Sequence, residues 1–116
     1  MTTTLPVIAT DLDACCTPLT GTVLDVDAAT RLAGMFKALG DPTRVRLLSL
    51  IAAHEGGEAC ICDLTEPVGL SQGTVSHHMK ILSDAGIVSR EQRGKWAYYK
   101  VETDTLTALS GALRTS

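Results

Sequence analysis

A chain of 116 residues makes one domain, and a composition that is 45% hydrophobic but only 3% aromatic gives that domain a single aliphatic core. No apolar run approaches the roughly 18 residues of a membrane-spanning helix, and the N-terminus lacks the basic-then-apolar order of a secretion signal, so the expected location is the cytoplasm. A net charge of −3 has the wrong sign for a nucleic-acid binder until it is divided along the chain: residues 1–69 carry four Lys/Arg against nine Asp/Glu, residues 70–101 five against two, and residues 102–116 one against two.

Residues 1–25 hold Thr2 to Thr4, Pro6, Pro18 and Gly21 without a helical period, which predicts a flexible arm, with the folded domain at 26–116. The first helix spans 27–39, capped by Asp25 or Asp27, with Leu32, Met35, Phe36 and Leu39 on one face and Gly40 at its end. Asp41 and Pro42 start a second helix with a stripe of Val45, Leu48, Ile51 and Ala52, broadened by Leu47 and Leu50 and closed by Gly56-Gly57. Glu58 to Val68 reads as a short third helix, joined through Val68-Gly69-Leu70 to a fourth.

Ser71 caps that fourth helix. Val75, Met79 and Leu82 turn inward, with Ile81 and Ala85 widening the stripe, and Gly86 sits at the C-cap. Its outer face carries Gly73, Ser76, His77 and Lys80, flanked by Gln72 and Thr74: short hydrogen-bonding or cationic groups suited to base edges and phosphates. Ile87-Val88 open a strand, the polar run Ser89 to Lys95 supplies a turn, and Trp96 to Val101 return. The hairpin bears Arg90, Arg93 and Lys95. A helix-turn-helix followed by a basic hairpin predicts a winged helix on double-stranded DNA, with Gln72, Thr74, Ser76, His77 and Lys80 in the groove and Arg90, Arg93 and Lys95 on the backbone.

A last helix lies within Glu102 to Arg114. Leu106, Leu109 and Leu113, with Leu32 and Phe36, are expected to face a second subunit. The predicted fold is mainly α with one β-hairpin, in the order α-α-α-α-β-β-α, and homodimeric. Among the histidines, His54 is expected to serve the helix dipole, His77 to meet DNA, and His78 to pack in the core. No Ser/His/Asp constellation, carboxylate pair or phosphate-cradling glycine loop is visible, so neither an enzyme nor an organic cofactor is expected.

The four cysteines form two tight pairs, Cys15-Cys16 and Cys60-x-Cys62. Structural disulfides are not expected in a cytosolic chain, and soft thiolates select thiophilic ions. Arsenite takes three sulfurs, cadmium or lead three or four. Cys60 and Cys62 do not share a helix face at i and i+2, so joint ligation predicts unwinding at the start of the helix.

The pieces FKALGDPTRVRLLSLI at 36–51, EACICDL at 58–64, LSQGTVSHHMKILSDAGIV at 70–88 and RGKWAYYKV at 93–101 resemble the ArsR/SmtB family of bacterial metal-sensing winged-helix repressors. The resemblance implies a homodimer that holds a palindromic operator without its inducer and leaves when a metal or metalloid binds. It also implies that Cys60 and Cys62 belong to a thiolate site. Thr65 stands where arsenic sensors carry a third cysteine, whereas the arm ACCTPLTG at 14–21 resembles an actinobacterial branch whose N-terminal vicinal pair binds arsenite with a thiol from the helical body. As(III) bound by Cys15, Cys16, Cys60 and Cys62 is therefore the implied inducer, with Cd(II), Pb(II) or thiol oxidation as alternatives. Residues 102–116 contain no histidine, so the Asp/His site of the family's zinc and cobalt sensors is missing.

Overall fold

The computed structural model describes residues 18–115. In chain order it has helix α1 (Val26–Leu39), helix α2 (Pro42–Ala53), strand β1 (Glu58–Cys60), helix α3 (Ile61–Val68), helix α4 (Gln72–Asp84), strands β2 (Val88–Arg93) and β3 (Trp96–Val101), and helix α5 (Thr103–Ala112). The predicted mainly helical fold with a β-hairpin is present. Two compact units divide it: Met35–Glu102, and the described residues up to 34 with those from 103.

Each helix of the larger unit starts where local chemistry dictates. The Asp41 carboxylate accepts the Thr43 and Arg44 N–H groups at 2.8 and 3.2 Å, and Pro42 follows in the first turn. The Arg44 N–H bond, ahead of the opposing effect of burial, holds the Asp41 pKa below the ordinary carboxylate range. Ser71 Oγ accepts the Thr74 N–H and so caps α4. Gly69, at φ 70°, ends α3 in the left-handed conformation that a side chain disfavours.

The core of this unit is aliphatic. Leu47 and Ile51 of α2, Leu64 of α3, Val75, Met79 and Leu82 of α4, and Ile87 are essentially sealed from solvent. On α2 the buried stripe therefore runs through Leu47 and Ile51, while Val45 and Ala52 of the predicted stripe are exposed. The helix is apolar nearly all round, so periodicity did not fix which side turns inward.

Residues 58–60 are not the start of a helix, as the sequence suggested, but a strand. β1 pairs antiparallel with β3, as Glu58↔Lys100, Ala59↔Tyr99 and Cys60↔Tyr98, which makes a three-stranded sheet in the order β1-β3-β2. The wing is also longer than predicted. β2 continues through Arg93, and Gly94-Lys95 alone form the turn, with Gly94 at φ 63° in the first central position that two-residue hairpin turns give to glycine.

In the smaller unit Asp25 caps α1, accepting the Ala28 N–H at 2.8 Å, and the Leu19 N–H donates to the Ala112 carbonyl at 3.0 Å. Thr105, Leu109 and Ala112 form the buried stripe of α5, at i, i+4 and i+7. Two residues of the predicted intersubunit face, Leu109 and Leu32, are instead buried within one chain, whereas Leu106 and Phe36 are half-buried and Leu113 is exposed. Leu19, Val23 and Val26 are the other large apolar side chains that this unit exposes. Among the described residues, no helix is long and apolar enough to cross a membrane.

Candidate nucleic-acid interface and metal centre

Burying Val75, Met79 and Leu82 turns the opposite side of α4 outward. Gln72, Thr74, His77 and Lys80 are exposed and Ser76 is half-buried. The Thr74 hydroxyl accepts from Ser71 Oγ at 3.0 Å, so part of its capacity belongs to the helix cap. Lys80 pairs with Asp84 one turn on, at 2.9 Å, an exposed i,i+4 contact worth only about 0.3–0.5 kcal/mol. Between α4 and the wing lies an open cavity of ≈ 420 Å³ lined by Ser76, Lys80, Ser83, Asp84, Arg90 and Tyr99. Three of the sequence-predicted contact residues, Ser76, Lys80 and Arg90, thus converge on one depression.

The wing cations are held differently. Arg90 donates to the Gln92 side chain at 2.6 Å, and Lys95 occupies the exposed turn. Arg93 makes a two-pronged bond to Glu58 of β1 at 2.8 and 2.9 Å, donates twice more to one Glu91 oxygen at 2.6 and 3.0 Å, and lies 4.4 Å over the Tyr98 ring. The Arg93 bond lowers the Glu58 pKa, and Glu58, then Glu91, raise that of Arg93. The sequence placed Arg93 on the DNA backbone. The fold places it, first, on its own sheet.

His78 is neither a free ligand nor a packed apolar substitute. Its Nδ1 lies 3.0 Å from an Arg44 guanidinium nitrogen, while Arg44 Nε donates to the Ala38 carbonyl at 2.6 Å, linking the end of α1 to α4.

Cys60 and Cys62 flank the junction of β1 and α3. Cys60 has extended backbone angles and is the N-cap of α3, its Sγ accepting the Cys62 N–H at 3.2 Å. The expected unwinding is therefore unnecessary: one cysteine precedes the helix, and the two sulfurs meet, joined as a disulfide with Cα atoms 5.1 Å apart. Cys60 is buried and Cys62 exposed. Asp63 completes the cluster. Its carboxylate accepts the Cys60 N–H at 3.0 Å, closing a capping box, and lies 3.3 Å from His54 Nε2. Donor atoms of Cys60, Cys62 and Asp63 all fall within 4.8 Å of one another, a set that suits a thiophilic ion. Sequence reasoning missed Asp63 and His54. The capping-box spacing from residue 60 to 63 was legible, but a cysteine is not an ordinary N-cap. The predicted arm ligands Cys15 and Cys16 lie outside the described residues.

Residues 41–90 match the family model described as "Bacterial regulatory protein, arsR family". An uncharacterized HTH-type transcriptional regulator of Methanocaldococcus jannaschii is 42% identical over 74 residues, which is 64% of this chain and 81% of the relative. The arsenical resistance operon repressor of Bacillus subtilis is 36% identical over 74 residues, covering 64% of this chain and 69% of that one. Among solved structures, a homodimeric winged helix-turn-helix DNA-binding domain from Mycobacterium bovis superposes with a TM-score of 0.63 at 25% identity, over 74% of this chain and 80% of that chain.

Proposed function

Because the chain belongs to the arsR family of bacterial regulatory proteins, whose fold is that of transcriptional regulators and not of enzymes, we propose that it is an arsenite-responsive repressor. In this reading a cytoplasmic homodimer binds a palindromic operator in the ion-free state and releases it when As(III) binds cysteine thiolates. The observation that carries the reading is the cluster at the start of α3, where Cys60, Cys62 and Asp63 gather at the N-cap and first turn of the helix that precedes α4.

The chain's own residues divide the work. Buried Val75, Met79 and Leu82 fix the roll of α4, so that Gln72, Ser76, His77 and Lys80 face the major groove while Arg90 and Lys95 approach the backbone. Cys15 and Cys16 together supply two sulfurs, and Cys60 or Cys62 supplies the third that trivalent arsenic requires. Exposed Cys62 gives the entry point. Buried Cys60, which ends β1 and caps α3, is the sulfur whose displacement disturbs both elements.

Operator release by arsenite, followed by fluorescence anisotropy with purified reduced protein and a duplex selected from a random pool, tests this. Cys15→Ser and Cys16→Ser should keep operator affinity and lose release. A Cys15→Ser variant that still responds as the wild type removes the arm from the site. The carboxylate of Asp63 favours Cd(II) or Pb(II) as the alternative, in which case those ions release the operator at lower concentration than arsenite. A thiol-oxidation switch is the other alternative, in which case a disulfide oxidant releases the operator without any ion.

A further inference from the structure

Seven side chains share one face of the sheet. In β1, Glu58 and Cys60 are two apart and so point the same way, and their cross-strand partners are Lys100 and Tyr98. Across β3, Tyr98 is opposite Glu91 and Trp96 is opposite Arg93. Arg93 closes this row: it grips Glu58 with both prongs, takes Glu91, and stacks over Tyr98, the very residue opposite Cys60. The wing is thereby fastened to a strand of only three residues whose far end is a proposed ion ligand.

Resting on the proposed function, we propose that Glu58, Arg93 and Tyr98 act as positioning residues that carry the state of the Cys60–Cys62 turn to the wing. In the ion-free structure β1 lies in register, and Glu58 holds the wing through Arg93. Drawing Cys60 toward an ion pulls the end of β1 off Tyr98, moves Glu58 with it, and frees the wing. The two sites are then coupled through a contiguous set of contacts, each with two arrangements.

This arrangement gives a sign opposite to simple electrostatics. If Arg93 were only a phosphate contact, Glu58→Gln would remove a competing negative charge and tighten the operator complex. As a tie, Glu58→Gln should instead weaken ion-free binding about three- to tenfold and shrink the arsenite-induced release ratio by a similar factor. Arg93→Lys, which keeps the charge but loses the two-pronged geometry, should do the same. Ion affinity, read from thiolate–arsenic or thiolate–cadmium absorbance on the free protein, should rise in Glu58→Gln, because a wing already freed is the arrangement that the ion favours.

A second readout is independent of the operator. Trp96 is the one tryptophan of the chain and the cross-strand partner of Arg93. Arsenite, and separately Cd(II), should shift its emission in the wild type but not in Glu58→Gln. The tie is overturned if Glu58→Gln leaves or raises operator affinity, or if the ion moves Trp96 emission equally in both proteins or in neither. Ions that bind while the wild type stays on its operator overturn the repressor reading alone, and the Trp96 comparison then still decides the tie. A chain that binds neither ion overturns both.

Discussion

Helix α4 and the wing together form the one positively charged stretch of the sequence, yet they hold their polar side chains on different terms. On α4 the outward groups are open or lightly held: Gln72 and His77 face solvent, and Lys80 has an exposed partner one turn away. On the wing, Arg93 is engaged by two carboxylates and a ring, and one of those carboxylates, Glu58, comes from the part of the chain that looks like an acidic flank. A formal charge is therefore not the same as a charge available to a phosphate. The basic stretch presents less free positive charge than its composition suggests, because the fold has neutralised part of it internally.

Three experiments sharpen or break this contrast. The largest effect belongs to the inner side of α4: Met79→Ala removes a fully buried side chain and should lower unfolding free energy by about 2–5 kcal/mol. Urea denaturation measures it, and an unchanged midpoint would mean that α4 is not rolled as described. On the outer side, the double change Gln72→Ala with Lys80→Ala should leave that midpoint in place and weaken operator binding by about tenfold or more, measured by anisotropy at fixed salt. Loss of stability without loss of binding would reverse the two faces. The smallest effect separates the wing cations. Lys95→Gln should flatten the dependence of log affinity on log salt by about 0.9 per lost phosphate contact, while Arg93→Gln should lower affinity and leave the slope nearly unchanged, since its charge is already paired. Equal slope changes would make Arg93 an ordinary backbone contact.

Much of this architecture is written in short-range signals. Asp41 followed by Pro42, Ser71 before a 3.6-residue stripe, Gly69 and Gly86 after their helices, and the apolar return strand all act within a turn or two of chain, and each stands where the sequence indicates. What was hidden depends on distant partners. β1 has three residues, too few for an alternation of its own, and it is a strand because β3, some forty residues on, offers it a free edge. The Glu58–Arg93 bond spans 35 residues, and nothing near either residue announces the other. The same holds for His54 and Asp63, whose pairing needs the turn after α2 to fold back on the start of α3. Helix α5 misled for another reason: leucines at 106, 109 and 113 suggest one stripe, but Thr105 and Ala112, small enough for close packing, rotate the buried face by about a quarter turn.

Helix α3 has a mechanical consequence that its chemistry alone does not reveal. It is eight residues long, with the proposed ion ligand Cys60 as the cap at one end and Gly69, two residues before the cap of α4, at the other. At 1.5 Å per residue this is a rigid lever of about 12 Å. A tilt of about 5° at the thiol end displaces the far end by about 1 Å, which is more than the whole range of 2.7–3.2 Å over which an N–H···O bond retains its strength. The joint at Gly69 and Ser71 is too short to absorb such a shift, so the entry of α4 into a groove is set by the angle of a helix that itself touches no base.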